Sequence, residues 1–405
     1  MTGSLELWRS YRLSPSMKRR IEDLRPILEA CERQAAAERR YPMHGIDAMI
    51  DAGLFNLAPV KEVGGDESDL ILEMEVYEAI ARISVTAAWN LLVGNIHTAW
   101  ASAYLSDEAL AAVFPKGHRT VVAGQAAPTG KARRADGGFR VTGRYSWGSG
   151  ISHSKWVLGG FRVEGEDEPL IFVVEKSAVT VLDNWHVIGI EGSGSYDYAV
   201  EDVFVPAGFA FSFNCTQPKR GGARFTLPWT AQASVPHSAV ALGGGEHALE
   251  AIAQLAASKR RSMQQSTLAE RGAFQRDLGE SYIRVCAARD NAARLFEHMS
   301  GRALAGKPLS PGETSELSAM AASACRLAAD VANMAFRYGG GNSVRLDSPL
   351  QRALRDVLVA QQHVAVADTS FETLGAAIID QVAQSSLPEQ SLAPKPAGAM
   401  AEARN

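Results

Sequence analysis

The spacing of apolar residues divides the chain into three zones, and the first zone has a helical pattern. Between residues 17 and 115, apolar side chains recur every three or four positions, as at Ile21, Leu24 and Leu28. Residues 69–105 are apolar over most of their length, which predicts a largely buried helical hairpin. A serine and two acidic residues then open "SDEALAAVFPKG" and predict the start of another helix.

The second zone, residues 120–206, has the composition of β-strands. Runs of β-branched and aromatic residues are separated by glycine, acidic residues and proline. The sequence "ADGGF" within it is typical of a tight hairpin turn. We therefore expect a small antiparallel barrel or sandwich here.

The third zone, residues 227–384, returns to a helical pattern with long alanine-rich segments joined by short polar breaks. Such segments favour a bundle, since small side chains let helices pack closely. The three zones predict an N-terminal helical domain (1–118), a central β-domain (119–224) and a C-terminal four-helix bundle (225–405). The predicted fold class is α+β.

Composition and charge exclude several classes of protein. The 405 residues carry 41 basic and 45 acidic side chains, a net charge of −4, which argues against a nucleic-acid partner. We expect no membrane span and no secretory signal, hence a cytoplasmic location. The four cysteines and nine histidines show no metal-ligand spacing, so we expect no metal. There is no G-x-S-x-G elbow for a serine hydrolase, and no GxGxxG motif that would bind NAD(P)H.

The helix–strand–helix order and four sequence segments resemble the acyl-CoA dehydrogenase superfamily over nearly the whole chain. Each segment is a weak signal alone, but their shared order and spacing are specific. The segments are "DAGLFNLAPVKEVGG", "GQAAPTGKARRADGGFRVTGRYSWGSG", "GIEGSGSYDYAVEDVFVP" and "YGGGNSVRLDSPLQRALRD".

The second of these segments would face the flavin ring. A flat ring system needs an aromatic wall and hydrogen-bonding groups at its polar edge. Trp147 and Ser149 are two residues apart, so on one strand they would point to the same side, as wall and edge contact. The resemblance places Gln125, Ala126 and Thr129, in the preceding turn, at the pyrimidine side of the ring.

Two further segments are candidates for the phosphate end of the cofactor. Arg271 and Phe274 share a helix face, and an arginine can hold a phosphate with two hydrogen bonds. The family uses an Arg-x-x-Phe pair here, often toward the flavin of a neighbouring subunit. Gly339, Gly340 and Gly341 allow close approach of backbone to a ligand, although a helix C-cap would also explain them.

The chain departs from a dehydrogenase at the catalytic base. A dehydrogenase of this family carries a glutamate about eight or nine residues after the Arg-Asp pair, here Arg355–Asp356. This chain has no glutamate in that region and carries Gln361, Gln362 and His363 instead. Glu246 and Glu250 lie near a second position known for the base, but in no recognisable motif. With His97 in the early helices and Ser149, His363 resembles the catalytic set of the group D flavin monooxygenases.

This branch implies the oxygenase component of a two-component system acting through a C4a-(hydro)peroxyflavin. It would use dioxygen and reduced FMN (FMNH2) or FADH2 from a separate NAD(P)H:flavin reductase, and would form a homotetramer. Trp89, Ile96 and Trp100 are expected to wall the pocket of an aromatic substrate such as a phenol or an indole. The alternatives are an acyl-CoA dehydrogenase with FAD and a flavin-free relative that keeps only the fold.

Overall fold

The computed structural model describes residues 12–116, 120–260 and 266–385, and its first part is helical as expected. Serine side chains cap three of these helices: Ser14, Ser84 and Ser106 each accept a hydrogen bond from a backbone N–H of the first turn. The helices are α1 (Pro15–Glu38), α2 (Met43–Asp51), α3 (Leu70–Ala81), α4 (Val85–Tyr104) and α5 (Asp107–Val113).

Helix α4 runs through the protein interior and is buried on almost every side. Of its 20 residues, 18 are buried. The two that keep partial contact with solvent are Ile96 and His97, both expected in the site. This buried, apolar helix is thus partly exposed at the position of its histidine, His97.

The middle of the chain folds into one seven-stranded sheet. The order across the sheet is β5-β6-β2-β1-β3-β4-β7. Asp136 and Gly137 form the two-residue hairpin loop predicted between the first two strands, with Gly137 in the left-handed region at φ +74°. The strands are β1 (Val122–Ala135), β2 (Gly138–Tyr145), β3 (Trp156–Val163), β4 (Pro169–Glu175), β5 (Thr180–Val181), β6 (Tyr198–Pro206) and β7 (Ala210–Ser212).

The sheet is mostly antiparallel, with one parallel pair between β1 and β3. Ten residues separate β2 from β3, which allows β3 to cross to the far side of β1 instead of completing a simple meander. Strands β4 and β6 approach each other although three strands separate them in the sheet, so the sheet curls around an aromatic core. Tyr145 lies in this core, stacked on Tyr198 at 5.0 Å between ring centroids.

The last part of the chain is a helical bundle built around its first helix. This helix packs against α3 and α4 of the early helices and against the later helices. Its Gly243 allows that contact, because a Cβ there would lie 2.3 Å from the carbonyl oxygen of Glu78 in α3. The bundle helices are α6 (Trp229–Ser258), α7 (Gly272–Leu304), α8 (Pro311–Gly339), α9 (Pro349–Ala360) and α10 (Thr369–Ser385).

The predicted α+β class is confirmed, and so is the order of helices, strands and helices. The bundle differs from the predicted four helices, since the described residues form five in this region. The boundaries at 118/119 and 224/225 stay a prediction.

A buried ionic network joins the early helices to the bundle. The guanidinium of Arg289 in α7 donates to the carboxylate of Glu78 at 2.7 Å and to that of Glu75 at 3.0 Å, both in α3. All three side chains are buried. Since an unpaired buried charge is costly, this network fixes how the two helical parts dock.

Replacing Arg289 with Met should lower the free energy of unfolding by about 3–5 kcal/mol, because Glu75 and Glu78 would stay buried without their partner. Urea unfolding followed by circular dichroism measures this loss. Arg294→Met is the matched control, since Arg294 pairs with Glu316 at the surface at 3.5 Å and should cost at most about 1 kcal/mol. Equal losses in the two variants would contradict a structural role of the network.

Candidate active site

The indole of Trp89 connects helix α4 to the turn after β2. Its Nε1–H donates a hydrogen bond to the hydroxyl of Ser149 at 3.1 Å. The Ser149 hydroxyl is also 2.6 Å from that of Ser195, which lies 2.7 Å from the hydroxyl of Ser193. The result is a buried chain of three hydroxyl groups that begins at Trp89.

Two histidines of the bundle pack against the same indole. The ring of Trp89 meets His237 of α6 edge to face at 5.6 Å and His363, just beyond α9, at 5.8 Å between centroids. The two imidazoles are 4.3 Å apart. The tertiary structure therefore places His363 against Trp89, whose indole N–H bonds Ser149, and adds His237 to these two sequence-predicted residues.

His97 completes what we call the histidine cluster: His97, His237 and His363. It lies eight residues after Trp89, about two turns along the same face of α4. Its charge is close enough to contribute to lowering the pKa of His363. Its ring is 5.9 Å from that of Trp100, whose indole N–H donates to Gln232.

All three imidazoles of the cluster are held in the neutral form at pH 7. Burial lowers the pKa of His97 and of His237 to about 4. Burial of the His363 ring, followed by the charges of His237 and His97, lowers its pKa well below the usual range. His363 as a whole residue is nevertheless exposed, whereas Trp89 and His237, which its ring contacts, are buried.

The structure does not place Trp147 and Ser149 on a strand as a pair. Strand β2 ends at Tyr145, and Trp147 adopts the left-handed conformation with φ +62°. Trp147 is 66% exposed, whereas Ser149 is 7% exposed and therefore buried. The prediction that both lie on one strand was wrong, because β2 ends two residues before Trp147.

The segment with Gln125, Ala126 and Thr129 is also not a turn. It belongs to the long strand β1, whose register against β3 shifts between Gln125 and Gly130. This bulge turns the strand locally, with the Gln125 side chain accepting from the backbone N–H of Ala127 and the Thr129 hydroxyl donating to a carbonyl of β2. No contact among the described residues joins these three side chains to the histidine cluster.

The Arg-Asp pair of α9 positions the serine chain. The Asp356 carboxyl accepts a hydrogen bond from the backbone N–H of Ile190 at 2.7 Å, and Arg355 pairs with Glu191 at 2.9 Å. Ile190 is itself in the left-handed region, at φ +42°, an unfavourable conformation for a β-branched residue. These contacts hold the short 3-10 helix Glu191–Ser193 at the site.

The residues predicted to bind the cofactor phosphate form a second group, away from the histidine cluster. Phe274 packs edge to face against Tyr338 at 5.0 Å, which brings Arg271 at the start of α7 near the glycines after Tyr338. One nitrogen of the Arg271 guanidinium, Nη2, is buried and has no hydrogen-bond partner within the described parts of the chain. Gly340, with φ +53°, is the C-cap residue that follows α8. No atom lies within 4 Å of the position that a Cβ at Gly341 would take.

Helix α9 separates the two groups. Gly339 lies against Leu350 at its start, while His363 follows its end. Twelve helical residues span about 18 Å. The distance is too long for Gly339 and His363 to contact the same ring.

No carboxylate occupies the place of a dehydrogenase base in the part of the chain that the structure describes. Among the described residues, the charges that lower the pKa of His363, after burial, are those of His237 and His97. Glu246 and Glu250 both pair with Arg82 in the interhelical network, and burial, followed by Glu78, raises the pKa of Glu246 well above its usual value.

Sequence reasoning missed His237 and the Ser193–Ser195 pair. His237 has a visible signal, since it is an isolated histidine in the otherwise small and apolar stretch "SVPHSAVALGGG". The two serines belong to the quoted segment "GIEGSGS", but only the tertiary contact with Ser149 gives them a place in the site. Among the described residues, no group of three His, Cys, Asp or Glu side chains could hold a metal ion.

Comparison with known proteins places this chain in a family. Residues 235–368 match the family model "Acyl-CoA dehydrogenase, C-terminal domain". The chain is 31% identical over 361 residues to a pigment production hydroxylase of Rhodococcus sp., covering 86% of this chain and 92% of that protein. The chain belongs to the flavin-dependent monooxygenases of the acyl-CoA dehydrogenase superfamily.

One further relative is named as a monooxygenase, and two solved structures share the fold. An indole-3-acetate monooxygenase of Pseudomonas putida is 28% identical over 338 residues, covering 82% of this chain and 85% of that protein. The crystal structure of 3-HSA hydroxylase from Rhodococcus sp. RHA1 aligns with a TM-score of 0.84 at 22% identity, over 91% of this chain and 97% of that chain. XiaF from Streptomyces sp., in complex with FADH2 and glycerol, aligns with a TM-score of 0.83 at 24% identity, over 90% and 95%.

The side chains of this monooxygenase fit a flavin. Trp147 offers an exposed aromatic face, and the Ser149 hydroxyl can bond a polar ring edge. Arg271 has a buried nitrogen without a hydrogen-bond partner among the described residues, as a phosphate-binding arginine would before its ligand is bound. The backbone at Gly340 and Gly341 has room for a phosphate.

The buried carboxyl of Asp356 should make the stability of the protein depend on pH. Burial, followed by the charge of Glu32, raises the pKa of Asp356 to about 8. The folded state therefore binds this proton more tightly than the unfolded state, and the resulting stabilisation is lost as the pH rises from about 4 to about 8.

Asp356→Asn keeps an acceptor for the Ile190 N–H without the ionisation. Its free energy of unfolding, measured by urea titration, should exceed that of the unmodified protein by an amount that grows as the pH rises and is on the order of a few kcal/mol at pH 8. Asp330→Asn, at the surface of α8, is the control. A constant difference between pH 5 and pH 8 would refute the assignment.

Proposed function

We propose that this monooxygenase is the oxygenase component of a two-component system and hydroxylates a flat aromatic or heteroaromatic molecule. The observation that carries the proposal is the neutral histidine cluster around Trp89, at the place where a dehydrogenase needs a carboxylate. The relatives named for hydroxylation and for indole-3-acetate oxygenation support a phenol or an indole as the substrate class.

Ser149 and Trp147 would hold the flavin ring, with Gln125, Ala126 and Thr129 toward its pyrimidine side. Bound reduced flavin supplies the electrons that activate dioxygen. Ser149 has the contacts for its task, since Trp89 donates to its hydroxyl and Ser195 shares a second hydrogen bond with it. Its remaining hydrogen-bonding capacity would serve the polar edge of the ring.

His363 and His97 would control protons in the cleft. A neutral imidazole can donate or accept a hydrogen bond without bringing a charge and its water shell into the site. We assign His363 to the flavin side and His97, with Ile96, Trp89 and Trp100, to the substrate side. Ile96 and His97 are the two residues of α4 that are not fully buried, which supports their access to a ligand.

We propose that the residues predicted to bind the cofactor phosphate contact the flavin of a neighbouring subunit in a homotetramer. The length of α9 separates Arg271, Phe274 and Gly339–Gly341 from His363 of the same chain, which supports this arrangement. Exposed apolar side chains near these residues and on the last helix would be covered by assembly. They are Val344, Leu346, Ile378, Ile379 and Val382.

The reduced flavin would come from a separate NAD(P)H:flavin reductase, in the cytoplasm. The chain has no nicotinamide-binding motif of the GxGxxG type. Among the described helices, none is both long and apolar enough to cross a membrane.

The purified protein should bind FMNH2 or FADH2 under anaerobic conditions more tightly than the oxidised flavin. On adding 18O2 with a panel of phenols and indoles, one 18O atom should enter the product, as mass spectrometry will detect. Tightly bound oxidised FAD that butyryl-CoA bleaches, with no labelled product, would support a dehydrogenase instead.

His363→Ala should lower the yield of oxygenated product per reduced flavin by about tenfold or more and release hydrogen peroxide in its place, because the cleft loses its proton donor. Product and peroxide are quantified together in single-turnover reactions. His298→Ala is the matched control, since His298 pairs with Glu313 at the surface. Unchanged coupling in His363→Ala would remove His363 from the mechanism.

A further inference from the structure

The backbone fixes which nitrogen of His237 carries the proton. Nδ1 lies 2.7 Å from the carbonyl oxygen of Ala233, and a carbonyl can only accept, so Nδ1 carries the hydrogen. The ring is neutral at pH 7, because burial lowers its pKa to about 4. Nε2 therefore presents a lone pair.

This lone pair has no partner within the described parts of the chain. His237 is 5% exposed, and its Nε2 atom is buried without a hydrogen bond. The indole N–H groups nearby are already used, since Trp89 donates to Ser149 and Trp100 donates to Gln232. A buried acceptor of this kind calls for a donor from a bound molecule.

His363 has the opposite arrangement. Its Nδ1 accepts a hydrogen bond from the backbone N–H of Ala365 at 3.2 Å, so in the neutral ring the hydrogen is on Nε2. The two imidazoles are tilted by 31° with their centroids 4.3 Å apart. Among the described residues no hydrogen bond joins the two rings, so each leaves its Nε2 for another partner.

We propose that His237 is a substrate-binding residue that accepts a hydrogen bond from the O–H or N–H group of the aromatic substrate. Because Nε2 of His237 can only accept, the site selects a ring that carries a hydrogen-bond donor, while Nε2–H of His363 is left for an acceptor. The inference rests on the proposed function and adds a specificity residue to it.

His237 acts as an acceptor and not as a full base. A phenol with a pKa of about 10 keeps its proton next to an imidazole whose pKa is about 4. The hydrogen bond orients the substrate and increases electron density in its ring without placing two charges in the cleft. An ordered water on Nε2 is the competing occupant, and a substrate with a donor would displace it.

The first experiment tests the tautomers and needs no substrate. In full-length protein labelled with 15N-histidine, long-range 1H–15N spectra distinguish a protonated ring nitrogen from a bare one, with His237→Phe and His363→Phe for assignment. We expect His237 with its proton on Nδ1 and His363 with its proton on Nε2 between pH 6 and pH 8. A proton on Nε2 of His237 would overturn the proposal.

The second experiment measures selectivity by anaerobic titration of the complex with reduced flavin. The probes are phenol against anisole and indole against 1-methylindole, because methylation removes the donor and keeps the ring. The unmodified protein should bind the donor-bearing member about tenfold more tightly. His237→Phe should bind both members of a pair equally, while His237→Gln, which can place its amide oxygen near the position of Nε2, should restore part of the preference.

Failure of this inference is distinguishable from failure of the proposed function. If the unmodified protein oxygenates a probe but His237→Phe keeps the full preference, His237 is not the acceptor and the proposed function stands. Equal binding of both members by the unmodified protein, or binding of neither, also rejects the selectivity. If no probe is oxygenated by any form of the protein, the proposed function itself fails, while the spectra still decide the tautomers.

Discussion

The hydrogen bond from Trp89 to Ser149 is the contact on which the candidate site depends. It joins the buried helix α4 to the turn that follows β2, and the same indole supports the rings of His237 and His363 from the bundle. The Trp89 side chain therefore contacts residues from three distant parts of the chain. Asp356 adds a second connection, since it holds the segment of Ser193 and Ser195 against α9.

The site is built from groups that are polar but uncharged. Burial keeps the imidazoles neutral, and the hydroxyl chain from Ser149 brings hydrogen-bonding capacity without charge. Glu75, Glu78, Glu246 and Arg289 are buried charged residues that are paired elsewhere, in the network around Arg82 and Arg289. Neutral groups of this kind direct hydrogen bonds without bringing a charge and its water shell into the site, which favours the use of dioxygen without losing it as peroxide.

Much of the fold could be predicted, because periodicity and capping are local properties. Ser106 caps its helix and Asp136–Gly137 makes its hairpin, as their neighbours in sequence require. The site was predicted in part: His363 and Ser149 do meet at Trp89. The prediction that Trp147 lies on a strand was wrong, since no local rule gives the residue at which β2 ends.

The sequence by itself determined the α+β order, the family and the missing carboxylate, since these depend on residue types and their spacing. Only the tertiary structure decided that His237 joins the cluster, that Ser195 orients Ser149 and that Glu246 is committed to an ionic network. The physical reason is that hydrogen bonds and desolvation act between side chains that are far apart in the chain. Their partners, and hence their protonation, exist only once the helices and the sheet are packed.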